Sequence, residues 1–230
     1  FTYEQPQFKS TGSILLPLNE DSLVPQKAFD TAQILIKHMN IVLCKLVPGL
    51  TIALKNIGNK LLADGSTGVL VQLVSLKNTQ EIPLKYESEG IKKIISVLHL
   101  LIEAFNKPST TVAIDELDSG VFEYLLGELL QIVSERGRGQ LIFTSHNLRP
   151  LETLRRDMIA FTTTNPDNRY IRFRNVKSNN NLRDFYYRDI LLGGQSEEVY
   201  SRTNNAEISY AFMSAGELLN GEGKGGGDAS

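Results

Sequence analysis

The sequence predicts an α/β fold with a mainly parallel core sheet and an antiparallel β segment ahead of it. Two runs at 110–117 and 141–144 are rich in apolar residues and flank a helical pattern at 121–134. Apolar strands that alternate with helices are typical of a parallel sheet buried on both faces. Upstream, three short β-type runs between residues 50 and 87 are separated by the turn-like segments ADGSTG and KNTQ, which indicates an antiparallel hairpin or meander.

Helical spacing of apolar residues predicts two long helices before the parallel strands. The first opens at Pro25 and continues toward Pro48-Gly49. The second begins at Gly90 and ends at Asn106-Lys107-Pro108. Its apolar face consists of Ile91, Ile94, Ile95, Leu98, Leu101, Ile102 and Phe105. Later strands are expected within MIAFTTT and RYIRFRNV, and a further helix within LRDFYYRDILL.

The composition excludes several classes of protein. The chain has 24 basic and 26 acidic residues and a net charge of -2, so it lacks the overall basic field of a dedicated nucleic-acid binder. Its single cysteine, Cys44, excludes an intrachain disulfide and a cysteine-rich zinc site. It has no apolar run of about 18 residues and no signal-peptide pattern. We therefore expect a cytoplasmic protein with no membrane partner, and its start at Phe1 would suit either a fragment or a processed piece of a longer protein.

Two adjacent carboxylates follow the first apolar strand, in TVAIDELDSG. Ligands of open α/β sheets bind beyond the carboxyl ends of the strands, which is where Asp115 and Glu116 lie. In nucleotide triphosphatases an acid at this position holds magnesium, and the next one accepts a proton from the attacking water. The alternative is a simple helix cap, because Asp118 or Ser119 would suit the N-terminus of the helix that begins near Val121.

Two further features bear on this strand edge. His146 follows the next strand and is expected at the same edge, where it can donate a hydrogen bond to a terminal phosphate. Upstream, Ser88, Glu89 and Gly90 stand at the start of a strongly amphipathic helix, whose N-terminus is a potential anion site. The alternatives are a surface or capping histidine and ordinary N-capping by the serine.

In this order, ESEGIKKI, TVAIDELDSG and QLIFTSHNL resemble the signature motif, the Walker B strand with its D-loop, and the H-loop of ATP-binding-cassette (ABC) ATPases. The branch they resemble most contains the SMC, RecF and OLD (overcoming lysogenization defect) proteins, including OLD-like AAA family ATPases of anti-phage systems. The resemblance covers residues 86 to about 150. It implies a three-layer α/β P-loop NTPase head, with the antiparallel β segment preceding the signature helix.

The resemblance also implies roles and cofactors for the strand-edge residues. Asp115 resembles the carboxylate that binds Mg2+, and Glu116 resembles the base for the hydrolytic water. His146 resembles the contact to the γ-phosphate of ATP. Asp118 resembles the D-loop acid that communicates across a dimer.

Ser88 and Gly90 match the serine and second glycine of the signature LSGGQ, whereas Glu87, Glu89 and Ile91 depart from it. By resemblance, Ser88, Glu89 and Gly90 of one head would reach the ATP held by the other. The implied partner is therefore a second copy, in a homodimer whose heads enclose ATP and Mg2+. DNA and a nuclease are further candidate partners, because heads of this branch serve DNA repair and antiviral defence.

A Walker A loop, GxxxxGK[ST], is missing from the sequence. The tail segment NGEGKGGG does not match, because Lys224 is followed by Gly225 and no glycine stands five residues before Gly223. The resemblance then implies the C-terminal part of a split head, whose Walker A lies on an N-terminal half. Gln72 is the one candidate for a Q-loop glutamine.

The predicted organisation has three parts. Residues 1–85 form a helix and antiparallel β segment, residues 86–215 form the C-terminal ATPase lobe, and residues 216–230 form a glycine-rich flexible tail. The main alternative is a non-catalytic, nucleotide-dependent dimerisation or scaffold module. A DExD helicase and a metal-dependent nuclease using the acids of DELD fit less well, because the chain contains neither an upstream phosphate loop nor a second acidic cluster.

Overall fold

The computed structural model describes residues 2–5, 8–78, 80–173 and 181–222. The chain divides into two compact units, Phe1–Leu154 and Arg155–Ser230. The strands of the first unit are β1 (Thr2–Gln5), β2 (Phe8–Ser13), β3 (Ser22–Pro25), β4 (Leu50–Leu61), β5 (Thr67–Lys77), β6 (Gln80–Pro83), β7 (Thr111–Ile114) and β8 (Gln140–Phe143). Its α-helices are α1 (Gln26–Leu46), α2 (Glu89–Asn106), α3 (Glu123–Arg136) and α4 (Pro150–Thr153).

The larger sheet of this unit is antiparallel. Strands β4 and β5 form a long hairpin with a bulge between Asn56 and Gly58, and β3 and β6 pair with the other edge of β5. Strands β1 and β2 form a separate antiparallel pair. The predicted antiparallel segment before the signature-like helix is therefore confirmed. Helix α1 covers this sheet with Ala32, Ile36, Met39 and Leu43, all of which are buried.

Asn40 of α1 completes the backbone hydrogen bonding of the edge strand β4. Its amide donates to the carbonyl oxygen of Ile52 at 2.8 Å, and its side-chain oxygen accepts from the N–H of Ile52 at 2.8 Å. An unpaired strand edge is a template for unwanted pairing, and a buried backbone group without a partner is costly. The side chain of Asn40 thus takes the place of a neighbouring strand at one residue.

Helix α2 is buried on two sides and joins two apolar clusters. It contributes Ile94, Ile95 and Leu98 to a cluster with α1 and the antiparallel sheet. It contributes Val97, Leu101 and Ala104 to a cluster with β7 and α3. The first cluster includes residues on both sides of position 85, the predicted boundary between the first two parts of the chain. That boundary stays a prediction based on motifs.

The parallel part of the fold is small. Strands β7 and β8 pair in parallel with Thr111 opposite Gln140 and Ile114 opposite Phe143, which confirms the predicted parallel pairing. Val112 and Ile114 are buried in the cluster with α2 and α3.

The expectation of a mainly parallel sheet buried on both faces is wrong for the described residues. The other face of the pair is uncovered, because Thr111 and Ala113 are exposed and Ile142 is 53% exposed. Helices cover one face of a two-stranded parallel pair, while the larger sheet is antiparallel. The architecture is therefore mixed α/β, and the described residues form no third layer over the parallel strands.

The end of α2 also fixes the entry into β8. The carbonyl oxygens of Phe105 and Ala104 accept hydrogen bonds from the N–H groups of Arg138 and Gly139, at 3.0 and 2.7 Å. A Cβ on Gly139 would lie 2.5 to 2.7 Å from three carbonyl oxygens, so only glycine fits there without movement of the backbone. Both β7 and β8 therefore begin beside the C-terminal end of α2.

The second unit contains β9 (Phe161–Thr162), β10 (Tyr170–Ile171), α5 (Leu182–Leu192) and α6 (Asn205–Glu222). Strands β9 and β10 are antiparallel, and Phe161 stacks on Phe173 with ring centroids 3.9 Å apart. The predicted strand RYIRFRNV is limited to β10, and its later residues from Arg174 lie outside the described part. Residues 216–222 of the predicted flexible tail belong to α6, and 223–230 are not described. Among the helices described, none is long and apolar enough to cross a membrane.

We predict that Asn40→Ala destabilises the first unit by about 1–3 kcal/mol, because both backbone groups of Ile52 lose their partner. Chemical denaturation followed by circular dichroism measures the change. Asn40→Asp is the matched variant, since it keeps the acceptor for the Ile52 N–H and loses only the donor. A free energy of unfolding for Asn40→Ala equal to that of the unchanged protein would contradict this role.

Candidate functional site

The residues after β7 and after β8 meet at one end of the parallel pair. Asp115 and Glu116 follow β7, and His146 follows β8 by three residues. Parallel strands place their carboxyl ends at the same edge. The Glu116 carboxylate lies 3.7 Å from the His146 imidazole nitrogen Nε2, and both side chains are largely exposed, at 56% and 86%. The structure therefore brings together the three residues that the sequence predicted at this edge.

Thr144 lies between these residues, and the sequence-based prediction missed it. Its hydroxyl donates to a carboxylate oxygen of Asp115 and accepts a hydrogen bond from the Glu116 N–H at 2.8 Å. A threonine in a β-type run carries no distinctive signal, because threonine is common in strands. The parallel register provides the missing information: Phe143 pairs with Ile114, so Thr144 stands beside Asp115.

Asp118 binds the loop that carries His146 within the same chain. Its carboxylate oxygen Oδ2 accepts hydrogen bonds from the N–H groups of His146 and Asn147, at 3.1 and 2.9 Å. The N-cap of α3 is Phe122, so neither Asp118 nor Ser119 caps that helix. The helix-cap alternative is therefore wrong. The predicted contact of Asp118 across a dimer stays a prediction.

Ser88 caps α2, as the simpler alternative anticipated. Its hydroxyl accepts a hydrogen bond from the Ile91 N–H at 3.3 Å. Glu89 is exposed and forms an ion pair with Lys92 at 2.7 Å. The predicted phosphate contact of Ser88, Glu89 and Gly90 stays a prediction, but the cap fixes the helix end on which it depends.

Gly90 packs against Gly120, backbone to backbone. A Cβ on Gly90 would lie 2.0 Å from the carbonyl oxygen of Gly120, and Gly120 itself has a φ of +70°. Because non-glycine residues rarely adopt this φ and no side chain fits at Gly90, both positions require glycine. The N-terminus of α2 is thereby held against the loop that follows Asp115 and Glu116.

Lys93 of α2 brings a positive charge to the same edge. Its ammonium group donates to the backbone carbonyl oxygen of Asp115 at 2.9 Å. This hydrogen bond ties the first part of α2 to the end of β7. Gln72, the candidate Q-loop residue, instead donates its side-chain amide to Asp21 at 2.9 Å.

The donor set at Asp115 suits magnesium bound together with phosphate. One Asp115 carboxylate oxygen is held by Thr144, and within the described residues no donor is bonded to the other, Oδ2. Mg2+ prefers oxygen ligands and is usually held by one or two carboxylates plus phosphate oxygens and water. The described part of the chain contains no cluster of three or more potential metal-binding side chains. Asp118 is bound to the His146 loop through Oδ2, so Asp115 is the acid at this edge that the donor set leaves open to a metal.

Comparisons with known proteins give distant structural similarity to SMC heads. No protein-family profile and no curated protein matches the sequence. A head bound to the C-winged helix domain of ScpA shares 16% identity with a TM-score of 0.37, over 54% of this chain and 36% of that one. A Pyrococcus yayanosii head with coiled coil and joint shares 17% with a TM-score of 0.38, over 51% and 22%.

A third structure comes from work on ATP-driven dimerisation and DNA-stimulated activation of SMC ATPases. It shares 16% identity with a TM-score of 0.47, over 73% of this chain and 97% of that one. The chain thus spans about a third or less of the length of the first two structures. The likeness of this chain to these three structures is a distant structural resemblance to the SMC ATPase head.

We predict that Gly90→Ala destabilises the first unit by about 1–3 kcal/mol or more, because the added methyl group collides with the Gly120 backbone. Equilibrium denaturation measures this loss. Gly216→Ala is the control: an added Cβ there meets nothing within 4 Å, and alanine favours helix over glycine. Equal stability of the Gly90→Ala and unchanged proteins would show that the backbone contact does not form.

We also predict that Asp118→Ala frees the loop after β8. The amide hydrogens of His146 and Asn147 should exchange faster with solvent, because each loses its acceptor. Hydrogen exchange monitored by NMR measures both rates. Ser119→Ala, one residue away and exposed, should leave them unchanged. Unaltered exchange of these two amides in Asp118→Ala would show that other contacts hold the loop.

Proposed function

We propose that this chain is the C-terminal lobe of an SMC/RecF/OLD-like ATPase that hydrolyses ATP between two heads. The observation that carries the proposal is the convergence of Asp115, Glu116 and His146 at the carboxyl ends of β7 and β8. The N-terminus of α2 is attached to the same loop through Gly90 and Gly120. A nucleotide lying across this edge would meet the two acids and the histidine of this chain, while the N-terminus of α2 is held in a fixed position beside them.

In the proposed reaction, water attacks the γ-phosphate of ATP in line with the leaving group, without a covalent intermediate. Glu116 is exposed and free to accept a proton or a hydrogen bond from that water. His146, 3.7 Å from Glu116, would donate a hydrogen bond to the terminal phosphate. Asp115 would hold magnesium, which supplies charge neutralisation at the phosphate oxygens.

The N-terminus of α2 would serve the nucleotide of a second copy. The first N–H groups of a helix carry a partial positive charge and bind anions well. Ser88 and Glu89 are exposed at this end, so the end is accessible to a partner. Two heads related by a twofold axis would then enclose two nucleotides, and dimerisation would complete each site.

The phosphate-binding loop of this ATPase would come from a segment outside these 230 residues, since the sequence contains no GxxxxGK[ST]. The second candidate function follows from the same observation: a scaffold that dimerises on nucleotide without turning it over. The resemblance of ESEGIKKI to OLD-like proteins favours phage defence over DNA repair as the process, with DNA or a nuclease as a further partner.

We predict that this chain hydrolyses ATP with magnesium only when combined with a polypeptide that carries the phosphate-binding loop. Glu116→Gln should then lower kcat by about 100-fold or more while ATP binding persists, because the base is lost and the fold is not. Steady-state phosphate release and nucleotide-binding titration measure the two quantities. Glu128→Gln, an exposed acid on α3, is the control and should match the unchanged protein.

Two results would contradict the catalytic proposal. ATP turnover that persists in Glu116→Gln would show that Glu116 is not the catalytic base. ATP-dependent dimerisation without any turnover, in the presence of the loop-bearing partner, would favour the scaffold.

Asp115→Asn tests the metal: we expect the magnesium concentration required for half-maximal rate to rise.

A further inference from the structure

Thr144 forms hydrogen bonds with four consecutive residues of the opposite strand end. Its N–H donates to the carbonyl oxygen of Ile114, and its carbonyl oxygen accepts from the N–H of Leu117, both at 3.1 Å. Its hydroxyl serves the two residues between them, Asp115 and Glu116. The two backbone bonds need no side-chain hydroxyl. The two hydrogen bonds of the hydroxyl require threonine or serine.

The hydroxyl restricts the carboxylate of Asp115. A hydroxyl has one proton to donate, and here it is directed at the carboxylate oxygen Oδ1. This bond selects one orientation of the carboxylate and leaves Oδ2 as the oxygen available to a cation.

The same hydroxyl restricts the backbone of Glu116. Its oxygen accepts the Glu116 N–H at 2.8 Å, and Glu116 has a φ of +47°. Glutamate rarely adopts this left-handed conformation without a compensating contact, and such residues concentrate at functional sites. In this left-handed conformation the Glu116 carboxylate lies 3.7 Å from Nε2 of His146.

We propose that Thr144 is the positioning residue that orients both acids of the site. This role of Thr144 rests on the proposed function, in which Asp115 binds the metal and Glu116 activates water. One hydroxyl, shared between the Asp115 carboxylate and the Glu116 N–H, couples their geometries. Hydrolysis requires both groups to be placed correctly relative to one phosphate, so loss of the hydroxyl lowers kcat more than it changes the affinity for ATP.

The hydroxyl contributes little to global stability. Thr144, Asp115 and Glu116 are all exposed, so water can replace the lost bonds when the hydroxyl is removed. Thr144→Val keeps the shape of the side chain and deletes the hydroxyl, while Thr144→Ser keeps the hydroxyl. Thr111→Val is the matched control, because it makes the same change at an exposed position at the opposite end of the same strand pair.

The first arm of the experiment uses this chain alone and measures amide hydrogen exchange by NMR. In Thr144→Val the Glu116 amide should exchange about five- to tenfold faster, with thermal unfolding unchanged. Thr144→Ser and Thr111→Val should retain the original rate. If the Glu116 amide exchanges equally in all four proteins, Thr144 does not hold it and the proposal is overturned.

The second arm adds the loop-bearing polypeptide and measures ATP turnover. Thr144→Val should lower kcat by about 10- to 100-fold with KM for ATP within about threefold, and Thr144→Ser should restore it. Full turnover in Thr144→Val overturns the proposal. If the unchanged protein shows no turnover, the proposed function fails, and the exchange arm still decides whether Thr144 positions the two acids.

Discussion

The burial of α2 on two sides is the constraint on which the rest of the first unit depends. One side packs on α1 and the antiparallel sheet, and the other packs on β7 and α3. Each of the two sheets thus receives part of its apolar cover from this helix. Burial of apolar surface is the dominant favourable term in folding, and α2 is the helix that contributes to it in both clusters, beside α1 in one and α3 in the other.

This arrangement places the candidate site at the end of a rigid element. Helix α2 begins at the contact between Gly90 and Gly120, and one turn later Lys93 binds the carbonyl oxygen of Asp115. Sites built on regular elements hold their geometry better than sites built on loops alone. The loops after β7 and β8 are in turn tied to each other by Thr144 and Asp118.

Sequence patterns predicted the positions of helices and strands better than the way these elements stack into layers. Spacing of apolar residues located α1, α2, β7, α3 and β8 to within a few residues, and the order of strands placed Asp115 and His146 at one edge. The uncovered face of β7 was not predictable, because a four-residue strand has too few positions to reveal alternation.

The finer geometry of the site was not predictable either. No local pattern encodes a positive φ at Glu116, whose N–H is bonded to a hydroxyl 28 residues away in the sequence. The sequence around Asp118 suited a helix cap and a cross-dimer acid equally well, whereas its carboxylate accepts hydrogen bonds from two N–H groups that only the folded loop presents. Contacts between distant parts of the chain decide these details, whereas periodicity reports on one element at a time.

The two ends of α2 contact two different segments of the first unit. Its first turn abuts the loop leaving β7, and its last turn holds the segment entering β8, about 27 Å away. A helix held at both ends sets the separation of the two points that it contacts. The length of α2 therefore fixes the spacing between the loop that leaves β7 and the segment that enters β8.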